Sequence, residues 1–208
     1  MTVKNTKENL ITCACNIFAQ KGYHNTTIAE ISEKAGANIA AVNYHFSSKA
    51  HLYQSVIIHA IKIANRYFPL DSGITENSSP EKKLYSFIKG IVSRSIGNEP
   101  QHSLKKILVF EMINPTEESG TLVADYINET RTFLLNIIKD LTDADNRYFY
   151  FVYSIMSQCL LFSYAEKGRE KNFDPSLNAL ISVDELTKHI YTFSLSGIRQ
   201  FSHPLENS

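Results

Sequence analysis

The residues best suited to chemistry in this 208-residue chain stand close together near its N-terminus. Asn43, Tyr44 and His45 follow one another, and Lys49 comes four residues later. An amide, a phenol, an imidazole and an ammonium group supply hydrogen-bond donors and acceptors together with a fixed positive charge. A helix that only packs does not need three such side chains in a row. We therefore expect this stretch to bind a polar or anionic partner.

No signature of an enzyme or of a cofactor site accompanies these residues. The sequence contains no glycine-rich phosphate loop, no His-Glu-x-x-His and no Gly-x-Ser-x-Gly. Its seven histidines do not cluster with carboxylates at metal-ligand spacing, and its three cysteines suggest neither a disulfide framework nor a zinc set. We expect a protein that is not an enzyme, without cofactor, catalytic residue or metal, in a reducing cytoplasm.

Charge is distributed unevenly along the chain, although the formal net charge is zero. Residues 1–67 hold seven Lys or Arg and three Glu, whereas the remainder holds 14 basic and 18 acidic residues. A basic N-terminal part on an acidic body is typical of phosphate binding at one end of a molecule.

Hydrophobic periodicity predicts an all-α chain, because alternating β-branched runs bounded by turns are missing. The predicted helices cover about 7–21, 28–35, 39–46, 49–67, 80–97, 101–113, 119–140, 144–167 and 183–201, with a loop or short helix at 172–181. Serines and tyrosines interrupt the uncharged run at 148–165, so we expect a buried helix there and no membrane partner. The segment 69–80 is rich in Pro, Gly, Ser and Asn, which marks a domain boundary.

Two short helices and a glycine turn predict a helix-turn-helix. Gly36 stands between them, where the chain must take a left-handed conformation. Ile31, Val42 and Phe46 fall where the two helices would pack together. Any three-helix bundle also contains tight turns, so on spacing alone His45 and Tyr44 could equally be packing residues.

With the apolar residues inward, helix 39–46 is sized to enter the major groove of DNA. Asn43 could hydrogen-bond a base edge, with adenine the best match, while small apolar neighbours could meet thymine methyl groups. Lys49 and the N-terminal end of helix 28–35 are suited to phosphates. The predicted DNA contacts are Thr26, Thr27, Asn38, Ile39, Ala40, Ala41, Asn43, Tyr44, His45 and Lys49.

Residues 10–53 resemble the DNA-binding domain of the TetR family of bacterial repressors. The segment IFAQKGYHNTTIAEISEKAGANIAAVNYHFSSKAHLY contains Phe-Ala-x-x-Gly-Tyr, Thr-Thr-Ile-x-x-Ile, Ala-Gly and Tyr-His-Phe-x-x-Lys-x-x-Leu-Tyr. The resemblance implies a helical homodimer whose repression is relieved by a small molecule. It implies base contacts from Ile39, Ala40, Ala41 and Asn43, and phosphate contacts from Thr27, Tyr44, His45 and Lys49. Position 43 departs from the pattern, because it is usually a tyrosine in the wider family.

A narrower similarity, to the CecR-like regulators, rests on ANIAAVNYHF and on FEMINPTEESGTLVADYI at 110–127. These features divide the chain into two predicted domains. Residues 1–68 form the helix-turn-helix DNA-binding domain, with connecting helix four from about 49, and residues 69–208 form a larger helical effector-binding and dimerisation domain.

Aromatic and flexible residues of the second domain are candidates to line a ligand pocket: Phe87, Ile91, Phe110, Met112, Tyr126 and Phe133. Helix 144–167 is apolar nearly all round and, with the final helix, is the candidate dimer interface. The interface candidates are Val152, Ile155, Met156, Cys159, Leu160, Ile190, Phe193, Leu195 and Ile198. Plain core packing remains open for each residue in both sets. Glu111 and Arg131 are charged residues in these helices that must be solvated, paired or used.

The sequence thus predicts a ligand-responsive transcriptional regulator, most simply a repressor. Its expected partners are a palindromic double-stranded DNA operator, a second copy of the chain and an unknown small-molecule effector that releases the DNA. The alternatives are an activator and an architectural DNA-binding protein without effector.

Overall fold

The computed structural model describes residues 3–96, 100–143, 147–170 and 182–202. These residues contain nine α-helices, a short 3₁₀ helix and no strand, which confirms the predicted all-α fold. The helices are α1 Val3–Lys21, α2 Ile28–Lys34, α3 Ile39–Phe46, α4 Lys49–Tyr67, α5 Pro80–Ser95, α6 Ser103–Ile113, α7 Gly120–Leu141, α8 Tyr148–Glu170 and α9 Val183–Ser202, and the 3₁₀ helix is Pro100–His102. The predicted element at 172–181 and the predicted helix start at 144 lie outside the described residues.

Local capping determines where the N-terminal helices begin. The Thr27 hydroxyl accepts a hydrogen bond from the Glu30 backbone N–H at 3.2 Å, and the Asn38 side-chain oxygen accepts one from Ala41 N–H at 2.8 Å. Side-chain acceptors at the N-cap satisfy N–H groups that the first helical turn leaves without partners. The starts of α2 and α3 therefore follow directly from the residue types.

The first compact unit comprises Met1–Tyr67 and Asn98–Ile127. Its hydrophobic core joins α1, α2 and α3 to α4. Leu104 and Ile107 of α6 and Val123 of α7 belong to the same core. The predicted division at 69–80 did not anticipate that 98–127 packs with the N-terminal helices. The functional division of the chain remains a prediction.

The second compact unit comprises Phe68–Gly97 and Asn128–Ser208. In it α5 packs against α8 and α9, around a core that includes Leu84, Phe87 and Ile190. The predicted boundary loop is anchored to α5, because Arg94 Nε donates to the Phe68 carbonyl at 2.9 Å. Ser86 Oγ also donates to the Ser72 carbonyl at 2.9 Å.

The three cysteines are free thiols. Burial raises the pKa of Cys15 to about 11 and that of Cys159 to about 12, so both behave as small core side chains. Across the described ranges, no set of three or more His, Cys, Asp or Glu side chains is grouped so as to hold a metal ion. None of the helices, over the residues that could be searched, is long and apolar enough to cross a bilayer.

Two glycines of the first unit allow a matched test of the turns. Gly36 and Gly22 both have positive φ, 61° and 73°, where alanine costs about 1–2 kcal/mol. A Cβ at Gly36 would meet nothing within 4 Å, whereas one at Gly22 would lie 3.0 Å from Phe110 Cδ1. We expect Gly22→Ala to lower the free energy of unfolding by more than Gly36→Ala, as measured by urea denaturation. Equal losses would argue against a contribution from the Phe110 contact.

Candidate nucleic-acid interface

The turn between α2 and α3 holds the two helices in a fixed relation. The Gly36 N–H donates to the Glu33 carbonyl at 3.0 Å, and Ala37 N–H donates to the Ser32 carbonyl at 2.9 Å. On the inner side of the helices, Ile31 and Val42 are fully buried and Phe46 nearly so. This packing leaves the opposite side of α3 free to face a partner.

The outer side of α3 carries the side chains predicted to contact bases. Asn43 and Ala40 are exposed, Ile39 is 50% exposed, and Ala41 is half-buried. Tyr44 is 80% exposed, so both its ring and its hydroxyl are accessible to a partner. The structure therefore brings these predicted residues together on one short helix.

Aromatic contacts at the end of α3 orient its last turn. The rings of Tyr44 and His45 meet edge to face with centroids 5.0 Å apart, and His45 lies 6.1 Å from the buried ring of Phe46. His45 is half-buried as a result, with Tyr44 beside it in solvent. This position suits contact with a phosphate on the wall of a groove.

The two predicted threonines occupy different environments. Thr27 is exposed at the N-terminus of α2, where an anion would meet free N–H groups. Thr26 is 1% exposed, and its hydroxyl donates to the Gly22 carbonyl at 2.8 Å. The structure does not bring the Thr26 side chain to the surface, so of these two threonines Thr27 remains the candidate for a phosphate contact. Asn38 is exposed, but its side-chain oxygen is engaged in capping α3.

Lys49 lies on an aromatic ring that had no role in the sequence-based prediction. Its ammonium group is 4.2 Å from the centre of the Tyr23 ring, a cation–π contact. Burial lowers the pKa of Lys49, and the negative charge of Glu118 opposes that shift. Tyr23 follows Gly22 in the quoted motif, but the spacing alone did not reveal the contact.

A buried hydrogen-bond network connects α4 to α6 beneath this surface. The Tyr53 hydroxyl donates to a Glu111 carboxylate oxygen at 2.6 Å, and Thr116 N–H donates to the other at 3.0 Å. Burial and the bond to Glu111 raise the pKa of Tyr53 well above its ordinary value, so the phenol remains a donor. Tyr53 also packs against Phe18 and Tyr23, with ring centroids 4.7 and 5.0 Å away. No local pattern predicts this contact between residues 58 positions apart.

The predicted ligand-pocket residues are divided between the two compact units. Phe87, Ile91 and Phe133 belong to the second unit, with Phe87 fully buried and its ring 6.0 Å from Phe133. The other three, Phe110, Met112 and Tyr126, belong to the first unit. A cleft of about 260 Å³ does open in the first unit, but it is lined by Thr12, Cys15, Asn16, His59, Ala60, Ile63, Tyr67, Gln101 and Leu104.

Most of the predicted dimer-interface residues lie in the core of the protomer. Their buried members, each at most 8% exposed, are Val152, Ile155, Cys159, Ile190, Leu195 and Ile198, while Met156 and Leu160 are half-buried. A buried side chain presents little surface to a partner, so the six buried residues are corrected to core residues, while the assignment of Met156 and Leu160 stays a prediction. Of the predicted set, Phe193 is the one that is well exposed, at 65%. Among the side chains of α8 and α9 that the structure describes, the exposed large apolar ones are Phe149, Tyr150, Tyr153, Leu161, Phe193 and Phe201.

Glu111 and Arg131 each have a polar partner in their own unit. Glu111 binds Tyr53 and Thr116 as described, and Arg131 donates to the Tyr153 hydroxyl at 3.3 Å and to the Asn128 side-chain oxygen at 3.0 Å. Both charges are therefore satisfied by neighbouring hydroxyl and amide groups.

Known proteins resemble the chain over both parts of its length. Residues 10–56 match the model of the bacterial regulatory proteins of the tetR family. Residues 80–198 match the C-terminal domain of the HTH-type transcriptional dual regulator CecR. These matches confirm the two resemblances drawn from the sequence.

Individual relatives are distant but of one kind. The chain is 24% identical over 131 residues to TtgW, an HTH-type transcriptional regulator of Pseudomonas putida, covering 63% of this chain and 90% of TtgW. It is 33% identical over 92 residues to IcaR, the negative regulator of the biofilm operon of Staphylococcus aureus, which is 43% of this chain and 50% of IcaR.

Solved structures share the fold at lower identity. The structure of AibR in complex with isovaleryl coenzyme A and operator DNA matches with a TM-score of 0.71 at 12% identity, covering 90% of this chain and 97% of AibR. The relatives are transcriptional regulators rather than enzymes. With family models matching 10–56 and 80–198, the chain belongs to the TetR family of bacterial transcriptional regulators and has a CecR-type C-terminal domain.

Proposed function

We propose that this protein is a repressor that binds a palindromic operator as a homodimer and is released by a small molecule. The observation that supports it best is the outer side of α3, where a row of exposed polar and aromatic side chains stands on a helix anchored by buried residues. Residues 1–68 would bind DNA, and residues 69–208 would sense the effector and dimerise. Such a protein works on chromosomal DNA in the cytoplasm.

The dimensions of α3 suit the major groove. An α-helix is about 10–12 Å across with its side chains, and the major groove is about 12 Å wide. Asn43 would read a base edge, and Ile39, Ala40 and Ala41 would contact thymine methyl groups. Phosphates on either side would be held by Thr27, Tyr44, His45 and Lys49, with the α2 N-terminus adding its N–H groups.

Relatives support both the assignment as a repressor and its control by a small molecule. IcaR is a negative regulator, and AibR is seen with isovaleryl coenzyme A and operator DNA. The family model that matches residues 80–198 is named for a dual regulator, which favours an activator as the second candidate. A second compact unit with its own core argues against a purely architectural DNA-binding protein.

Selection of bound genomic fragments at two salt concentrations tests the proposal. We expect enrichment of short sequences with two-fold symmetry, and recovery that falls steeply as salt rises. Transcription from a promoter that contains the selected sequence then distinguishes repression from activation. Recovery of all fragments in proportion to their abundance would reject a sequence-specific regulator.

Substitutions at Asn43 and Lys49 should separate base reading from phosphate binding. We expect Asn43→Ala to change which base is preferred at one operator position, at a cost of about 1–3 kcal/mol on the preferred site. Lys49→Met should weaken all sites together and lower the slope of log K against log salt by about one. Fluorescence anisotropy on a panel of single-base operator variants measures both effects.

Lys62→Met is the matched control for the charge change. Lys62 is exposed on the same helix, about 20 Å further along its axis than Lys49. The Lys62→Met substitution should leave the slope of log K against log salt nearly unchanged. If Lys62→Met and Lys49→Met lowered the slope equally, Lys49 would hold no phosphate.

An effector should be recognisable by linkage between stability and DNA affinity. A compound that binds the folded protein raises its Tm, and the free energy gained grows with the logarithm of the ratio of ligand concentration to Kd. Because coupling is reciprocal, a releasing effector should weaken operator binding by about 5–150-fold, and saturating operator should weaken its binding by the same factor. A thermal-shift screen followed by anisotropy measures both, and a compound that strengthens operator binding would instead favour a co-repressor mechanism.

The exposed aromatic face of α8 and α9 should hold the dimer together. Phe193→Glu places a charge on the most exposed apolar position of α9, where burial against a second copy would be costly. We expect the variant to sediment as a monomer and to lose operator affinity. Ile58→Glu, at a 41% exposed residue of α4, should remain dimeric. A Phe193→Glu protein that stayed dimeric would place the interface elsewhere.

A further inference from the structure

We propose that Glu118, in the connection between α6 and α7, lowers the affinity for DNA by offsetting the charge that Lys49, on the ring of Tyr23, presents to phosphate. This inference rests on the proposed function, because it concerns the strength of the phosphate contact at the start of α4. Glu118 belongs to the same compact unit as the helix-turn-helix, although 69 residues separate it from Lys49.

The segment that carries Glu118 is fixed at its start by a buried carboxylate. Glu111 is 5% exposed and receives hydrogen bonds from Tyr53 and from both the N–H and the hydroxyl of Thr116. The Thr116 hydroxyl then accepts a hydrogen bond from Ser119 N–H at 3.1 Å. A carboxylate engaged by three donors holds the surrounding backbone in one arrangement.

A second set of contacts fixes Glu118 itself beside α4. Gln54 Nε2 donates to the Glu118 backbone carbonyl at 3.1 Å. Burial, followed by the charge and hydrogen bond of the Glu118 carboxylate, raises the pKa of Tyr23. The Tyr23 ring in turn lies 4.2 Å from the Lys49 ammonium. The carboxylate, the phenol and the ammonium therefore form one cluster.

This cluster has a consequence for an approaching phosphate. Lys49 is the predicted phosphate ligand, yet its positive charge is already offset by a carboxylate in the same cluster. A phosphate must compete with Glu118 for Lys49 and is repelled by the carboxylate at short range. Glu118 therefore keeps operator affinity below the value that Lys49 would otherwise provide.

Neutralising Glu118 should strengthen DNA binding in a manner that depends on Lys49. We expect Glu118→Gln to tighten operator binding about two- to fivefold and to steepen the salt slope by up to about one. Glu117→Gln is the matched control, because it removes the same charge from the exposed neighbouring residue. Its effect should be clearly smaller. In a Lys49→Met background, Glu118→Gln should tighten binding clearly less, because only the direct repulsion between carboxylate and phosphate is then removed.

A conservative variant separates the effect of the Glu118 charge from a structural role of the side chain. Glu118→Asp retains the negative charge and should keep a salt slope close to that of the natural protein. Equal effects of Glu118→Gln and Glu117→Gln, or a full effect of Glu118→Gln in the Lys49→Met background, would overturn the proposal.

A measurement on the free protein distinguishes this inference from the proposed function. Reductive ¹³C-methylation of the lysines allows the pKa of Lys49 to be followed by NMR without any DNA. We expect Glu118→Gln to lower that pKa, since the carboxylate that favours the charged form is gone, and Glu117→Gln to leave it unchanged. An unchanged Lys49 pKa in Glu118→Gln would reject the inference even if operator binding were demonstrated. A lowered pKa in a protein that selects no DNA would retain the cluster and reject the function.

Discussion

The hydrogen bond between Tyr53 and the Glu111 carboxylate is the contact on which the N-terminal unit is organised. It is buried, it is 2.6 Å long, and it joins α4 to α6 in the middle of an aromatic group formed with Phe18 and Tyr23. A buried carboxyl group in such a place is tolerated only when hydrogen-bond partners surround it, and Thr116 supplies the others. The helix-turn-helix therefore packs on a core formed by residues from the first quarter and from the middle of the chain.

This construction explains how a short helix can present so many polar tips. Val42 and Phe46 bind α3 to the bundle, and the rigid base beneath them lets Asn43 and Tyr44 remain in solvent without cost to packing. Tyr23 packs on the buried Tyr53 and also contacts Lys49, so residues of different segments fix the edge proposed to face phosphate. Exposed polar side chains and packing side chains thus occupy the two sides of one eight-residue helix.

In the second unit, apolar character alone predicted the wrong residues for an interface. Helix α8 is apolar on several sides, which pointed to an interface, but Val152, Ile155 and Cys159 fill the core of the protomer with α5 and α9. Aromatic residues that remain in solvent, among them Tyr150 and Phe193, are what a partner would meet. Hydrophobicity alone cannot separate these two groups, because both are apolar and they alternate along the same helix.

The sequence by itself determined the all-α class, the bounds of α3 and α4, and the outward row on α3, because glycine turns, capping residues and helical periodicity act over a few positions. Only the tertiary structure decided that residues 98–127 pack with the N-terminal helices, that Thr26 is buried, and that Glu111 and Glu118 contact α4. Those outcomes depend on contacts between residues dozens of positions apart. Which distant side chains meet is settled by the packing of whole helices, and no local pattern carries that information.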